Sequence, residues 1–370
     1  MKFKKEFWVA SFTLTGTIIG AGILGLPFVF FQSGFLVGVF WLIVLGMIMM
    51  FVNLCLGEVT LRTKSIHQLP GYAEKYIGKW GKNVMLFAVM FGIYAALLAY
   101  LIGEGQSFSR LFFGDLKYSI YFAIGFWVVM TMLLHEGLRG LKRVETWGVL
   151  AIISVLLTML VWFYPNINLN NLNYYNFSNL FLPFGILLFA LLGFSSIPEL
   201  RMEIKNNEKL LKKAILLGSL IPVFLYFIFT LIILGVLGND VSEIATLSFG
   251  KFIVVLGIFA MLTSYFVLSF SLRDIFYYDL NKKNLSFLFV SVIPLVIYLL
   301  ATFFDLANFI KILGIGGVVS GGLAGILILL MNLRAKKKGE RKPEFSVPTN
   351  WIIIGIFSLI FLAGIFTELF

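Results

Sequence analysis

Apolar runs of about twenty residues recur along the whole chain, at roughly 7–31, 34–61, 83–104, 118–136, 145–164, 179–199, 211–237, 251–273, 286–304, 307–333 and 350–368. Coiled as an α-helix, a run of ~20 residues spans the hydrocarbon core of a bilayer. Membrane β-strands would be about half as long and would alternate apolar with polar residues; these runs do not alternate. Of 370 residues, 60% are hydrophobic and 13% charged, which leaves too little polar surface for a water-soluble domain. The pattern predicts an all-α polytopic membrane protein with about 11 transmembrane helices. Its loops are too short for a separate soluble domain.

A net charge of +11 raises the question of nucleic acid, but the placement of the charge answers it. Of 29 Lys and Arg, 25 lie at the N-terminus or in every second loop; the exceptions are Arg110, Lys117, Lys251 and Lys311. That is the positive-inside bias. It predicts a multi-pass protein of the cell membrane, with the N-terminus cytoplasmic and, after eleven crossings, the C-terminus outside. The lipid bilayer is then a partner and nucleic acid is not. The first dozen residues are similar to a signal peptide, but their apolar run is too long and many spans follow, so the first helix is expected to be retained. Two His (67 and 135) and the single Cys55 offer no metal-ligand spacing and no disulfide. A membrane-embedded enzyme would need clustered titratable groups at depth, and none is visible.

Between the runs, residues 62–82 mix apolar with charged residues and suggest an interfacial helix. The Asn-rich stretch 166–179 and the acidic stretch 238–251 fall outside. The second reads as a short external helix or lid, with Ser242 or Asp240 as its cap.

Two runs are weakened from within. The first carries GTIIGAGILGLP (16–27) and the sixth carries LLGFSSIPEL (191–200). Unpaired backbone groups survive at membrane depth only against protein, ligand or trapped water. A broken helix frees N–H donors at one half-helix end, suited to a carboxylate, and C=O acceptors at the other, suited to a cation or ammonium. Five spans separate the two breaks, so a second copy would enter the membrane from the opposite side. Matched breaks in two inverted halves point to the site of a secondary transporter. The glycines of the tenth run (Gly314, Gly316, Gly317, Gly321, Gly322, Gly325) come without a proline and read as close helix packing.

The stretch GTIIGAGILGLPFVFFQSGF resembles the first-helix signature of the amino acid/auxin permease family, including the bacterial aromatic amino acid permeases, within the amino acid–polyamine–organocation superfamily. LPGYAEKYIGKWGK, FGIYAALLAYLIGEG, GFSSIPELR and AMLTSYFVLSFSLRDI resemble later family segments in order and spacing, so the resemblance covers essentially the whole chain. It implies a LeuT-type fold of 5+5 inverted helices plus one extra, with repeats at 1–164 and 165–333 and the extra helix in 334–370. It also implies that the substrate's α-carboxylate and α-amino groups meet Thr17, Ile19, Gly20, Ala21, Gly22 and Ile23 in the first span and Phe194, Ser195 and Ser196 in the sixth, with Tyr100 closing the pocket. A Leu at Gly20 or Gly22 would then fill the substrate's space.

In span eight, Ala260, Thr263 and Ser264 share one helical face. In sodium-coupled members of the superfamily a similar set meets two first-helix carbonyls, which here belong to Gly16 and Ile19. The expected coupling ion is Na+. Proton coupling would need a titratable group at depth, and Glu58, Glu104, Glu136 and Glu199 are the candidates; Glu58 precedes Arg62 by four residues and suits a structural ion pair. No cofactor is expected. The resulting expectation is symport of an amino acid, neutral because the pocket segments carry no charge, by alternating access. The alternative is a non-transporting amino acid sensor or germinant-type receptor on the same fold.

Overall fold

A computed structural model describes residues 5–136, 154, 158–205, 207–280, 282–306 and 308–369. In chain order its helices are α1 (Lys5–Ile18), α2 (Gly22–Ser33), α3 (Phe35–Arg62), α4 (Leu69–Ile77), α5 (Lys79–Phe113), α6 (Ser119–Glu136), α7 (Leu182–Ala190), α8 (Ile197–Glu203), α9 (Leu211–Leu237), α10 (Lys251–Asp274), α11 (Ile293–Phe303), α12 (Phe309–Gly316), α13 (Gly322–Lys338) and α14 (Trp351–Leu369). No strand occurs among the described residues. Among them, eight helical stretches are long and apolar enough to cross a membrane, nine when α1 and α2 count as one bent crossing. Ser119–Leu134 is a shorter apolar helix. Most of the fifth expected run, 145–164, lies outside the described residues.

The chain turns where its residues dictate. Between α2 and α3 sits Gly34 at φ 103°, a backbone region that side chains avoid. A Cβ there would also stand 2.5 Å from the Tyr174 carbonyl oxygen. The helix expected within 62–82 is α4, opened by Pro70 in its first turn, where the missing N–H of proline has no cost. The lid expected at 238–251 is two short 3₁₀ turns, Gly238–Asp240 and Ala245–Ser248. Neither Ser242 nor Asp240 caps a helix. The Ser242 hydroxyl pairs with that of Ser248 at 2.6 Å, and α10 starts from Gly250 with no side-chain cap. The Asn-rich segment ties helix ends together: the Asn171 amide donates to the Gly235 carbonyl (3.0 Å) and the Asn179 amide to that of Gln32 (3.1 Å).

The tenth-run glycines are close-packing residues. A Cβ on Gly317 would lie 2.1 Å from the Gly185 carbonyl oxygen, and one on Gly316 would lie 2.5 Å from Ala95 Cβ. Such approaches bring α12 and α13 against α7 and α5.

Opposite the Asn-rich segment, at the end rich in Lys and Arg, charged groups lock the helices together. Glu58 pairs with Arg62 at 2.7 Å, as their spacing predicts. Its carboxylate also accepts from the Ser346 hydroxyl, the Val347 N–H and the Asn332 amide. Arg201, 4% exposed, donates to the Thr60 and Thr63 carbonyls and pairs with Glu208 at 3.0 Å. Glu208 holds Arg341 at 2.6 Å. The Lys75 ammonium, 2.6 Å from Glu340, helps hold that exposed carboxyl below the usual carboxylate range. Segment 339–350 thereby fastens α3, α4 and the Glu208 turn to the start of α14. A buried charge stripped of its partner costs several kcal/mol, so these pairs fix the bundle's geometry at this end.

Candidate functional site

Both weakened runs are broken in the structure. The first bends by 56° between α1 and α2, across Ile19, Gly20 and Ala21. The second leaves helical geometry after Ala190, passes through a 3₁₀ turn at Phe194–Ser196 and resumes as α8. In each, the β-branched, glycine and serine residues at the break are poor at holding a helix, and proline follows within a turn or two.

The breaks lie against one another. A Cβ on Gly22 would sit 2.6 Å from Ala190 Cβ, and one on Gly193 would sit 2.6 Å from Ile18 Cγ1. The carbonyl ends of two half-helices, α1 and α7, thus meet at one place, each with the negative end of its dipole. The Tyr226 hydroxyl, from the middle of α9, stands between them, 2.8 Å from both the Ile18 and the Ala190 carbonyl oxygens. One phenolic proton is shared by two acceptors. Tyr226 is fully buried. Its sequence signal is a lone phenol inside an apolar run, which needs a polar partner when buried. Among 14 tyrosines that signal is not distinctive, and the sequence pattern did not single it out.

On the donor side, the Ala21 N–H points to the Tyr100 hydroxyl at 3.4 Å, and a Cβ on Gly20 would lie 3.1 Å from the same oxygen. Tyr100, Gly20 and Ala21, chosen from sequence in two different spans, therefore converge on one point.

The remaining candidates are placed as follows. Ile19, Ala21, Gly22, Ile23, Phe194 and Ser196 are buried, while Gly16, Thr17 and Gly20 are half-buried and Ser195 is exposed. The Thr17 hydroxyl donates to the Thr13 carbonyl at 2.9 Å, and that of Ser196 donates to the Gly193 carbonyl at 3.0 Å. The Thr263 hydroxyl, half-buried beside Ala260, turns back on its own helix, 3.0 Å from the Phe259 and Ala260 carbonyls. Its proton is engaged there. Of the carboxyl candidates, Glu58 is taken by the partners described above. The Glu136 side chain is outside the described set, Glu199 is half-buried, and Glu104 is fully buried.

A family model described as the tryptophan/tyrosine permease family matches residues 3–246. The chain is 24% identical over 359 residues, 91% of both chains, to a protein named glutamine transporter 2 of Aliivibrio fischeri. It is 28% identical over 232 residues to tyrosine-specific transport system 1 of Haemophilus influenzae, covering 61% of this chain and 57% of that one. A second Haemophilus influenzae protein, tyrosine-specific transport system 2, is 26% identical over 249 residues, 64% and 60% of the two chains.

Proposed function

This chain belongs to the tryptophan/tyrosine permease family, and from that premise we propose that it imports a neutral amino acid by cation-coupled symport with alternating access. The observation that carries the reading is the pair of facing breaks, with the carbonyl ends of α1 and α7 at one pole and the N–H end of α2 at the other. A zwitterion's ammonium suits the first and its carboxylate the second. The neutral character is supported by the absence of Lys, Arg, Asp and Glu from the segments 16–27 and 191–198. The relatives named above are described as glutamine and tyrosine transporters, and both of those amino acids are neutral.

In this proposal the chain is a LeuT-type pair of inverted repeats, 1–164 and 165–333, with α14 as the extra helix, and its basic end faces the cytoplasm. Alternating access then tilts the broken helices against the rest of the bundle. Two coupling cations suit the chain: Na+, held by the Gly16 and Ile19 carbonyls with Ala260, Thr263 and Ser264, or a proton carried by a membrane carboxyl.

The test is uptake in proteoliposomes, with a labelled mixture of amino acids and separate inward sodium and proton gradients. Accumulation against the substrate's own gradient is expected. Ligand binding with no flux in either run would replace the transporter with a receptor. If sodium drives uptake, the double variant Thr263→Ala/Ser264→Ala is expected to raise the half-saturating sodium concentration about tenfold, for a loss of ~1.5 kcal/mol of oxygen ligation. An unchanged sodium response in folded double variant would remove those hydroxyls from the site.

A further inference from the structure

Glu104 differs from the other carboxyls of the bundle. It lies on α5, is 0% exposed, and neither of its oxygens has a hydrogen-bond partner among the described residues. It follows Tyr100 by four residues, so it stacks one turn, ~6 Å, further along the same face. Tyr100 is the residue whose hydroxyl meets the first-helix break. Ser107, the next residue on that face, is also buried with an unpartnered hydroxyl. The adjoining positions meet mostly apolar surroundings: Gly103 faces Met261 and Phe309, and Gly105 faces Ala123 and the Ser119 carbonyl.

Among the described residues, no charged group of the elements packed around this half of α5 pairs with Glu104. Tyr118 lies at the start of α6 with Lys117 before it, Tyr265 and Lys251 are on α10, Tyr298 on α11 and Lys311 on α12, while α2 carries no titratable group. Glu58 makes the contrast plain. It too has no exposure, yet it holds a guanidinium and three further donors, which is how a structural carboxylate is kept in a bundle.

A bare carboxylate in apolar surroundings is costly, and a neutral acid much less so. The described arrangement therefore accommodates the carboxylic acid, whereas access of water to the same face would accommodate the carboxylate. We propose that Glu104 is the group that takes up and releases the coupling proton. This rests on the permease reading and deepens it by naming the cation. On the side of uptake, a proton from water forms the O–H bond of the acid. On the side of release, that bond breaks, the proton returns to water and the electron pair stays on the carboxylate. No electron transfer is involved.

The experiment uses the full chain in proteoliposomes with a pH-sensitive dye inside and an inward proton gradient. Wild-type protein is expected to accumulate amino acid and to acidify the lumen in step with it. Folded Glu104→Gln is expected to lose lumen acidification, and its accumulation ratio falls to about one. Any substrate exchange that remains becomes independent of pH. Glu104→Asp keeps a titratable acid and is expected to retain coupling with a shifted pH midpoint. Proton-driven accumulation surviving in Glu104→Gln overturns the proposal. So does sodium-driven wild-type accumulation without acidification. If Glu104→Gln fails to fold, the aspartate variant decides, and an unshifted pH profile overturns the assignment. A wild-type protein with no flux in any mode removes the permease reading itself, and the inference with it.

Discussion

Gly22→Leu is expected to lose the folded protein, whereas Gly20→Leu keeps the fold and loses uptake. The two glycines stand two residues apart in the first break, and sequence alone gives them one role. Their surroundings separate them. A Cβ on Gly22 would lie 2.6 Å from Ala190 Cβ and 2.7 Å from Ala190 Cα, so the obstacle is backbone and cannot rotate aside. A leucine adds three more carbons beyond that Cβ, wedged between α2 and the end of α7. Overpacking of a filled interior costs about 1–3 kcal/mol and more where the backbone must move. Here separation of the helices would also pull the Ala190 carbonyl from Tyr226. At Gly20 the near atom among the described residues is the Tyr100 hydroxyl oxygen, 3.1 Å from an added Cβ, and that ring can adjust. A leucine there intrudes on the space between Tyr100 and the break. Detergent-solubilised yield, size-exclusion profile and melting temperature report on Gly22; labelled amino acid uptake reports on Gly20. Gly22→Leu protein with wild-type yield and melting temperature would show that the two half-helices do not touch there.

The fold was largely legible because crossing a bilayer demands long apolar runs, and length and composition are properties of contiguous sequence. The expected run 211–237 is the helix Leu211–Leu237, and the expected 251–273 is Lys251–Asp274. The breaks were legible for a related reason, since glycine and proline act on the backbone where they stand. What sequence could not supply is who meets whom across the bundle. Glu58 and Arg62 are four residues apart and were paired correctly; Glu208 and Arg341 are 133 apart, and no local pattern joins them. Segment 339–350 shows no local pattern that names a partner, yet it carries the Ser346 and Val347 donors to Glu58. Ser242 has a capping residue's chemistry but is drawn to Ser248 by the fold of its own loop. Glu104 and Glu199 read alike in sequence, and burial separates them.

Tyr226→Phe is expected to weaken substrate binding by one to two powers of ten while the protein still folds. The change removes one oxygen and leaves the ring, so the packing inside α9 is kept. What is lost is the only side-chain donor shown between the Ile18 and Ala190 carbonyls, each 2.8 Å from the hydroxyl. Two half-helix ends would then face each other with like partial charges. Leaving buried acceptors without a donor costs about 1–3 kcal/mol. The ends can relieve that cost by moving apart or by recoiling into helix, and in either case the binding arrangement of the break becomes a minority state. Affinity falls by the fraction of molecules that leave it, which at 1.4 kcal/mol per factor of ten gives the expected range. A smaller drop in melting temperature should accompany it. Equilibrium binding of the amino acid that drives uptake, measured with the melting temperature on the same preparation, separates the two effects. Binding within twofold of wild type would mean that the carbonyl ends hold their positions without the phenol, and that the geometry of the break is set by the glycines alone.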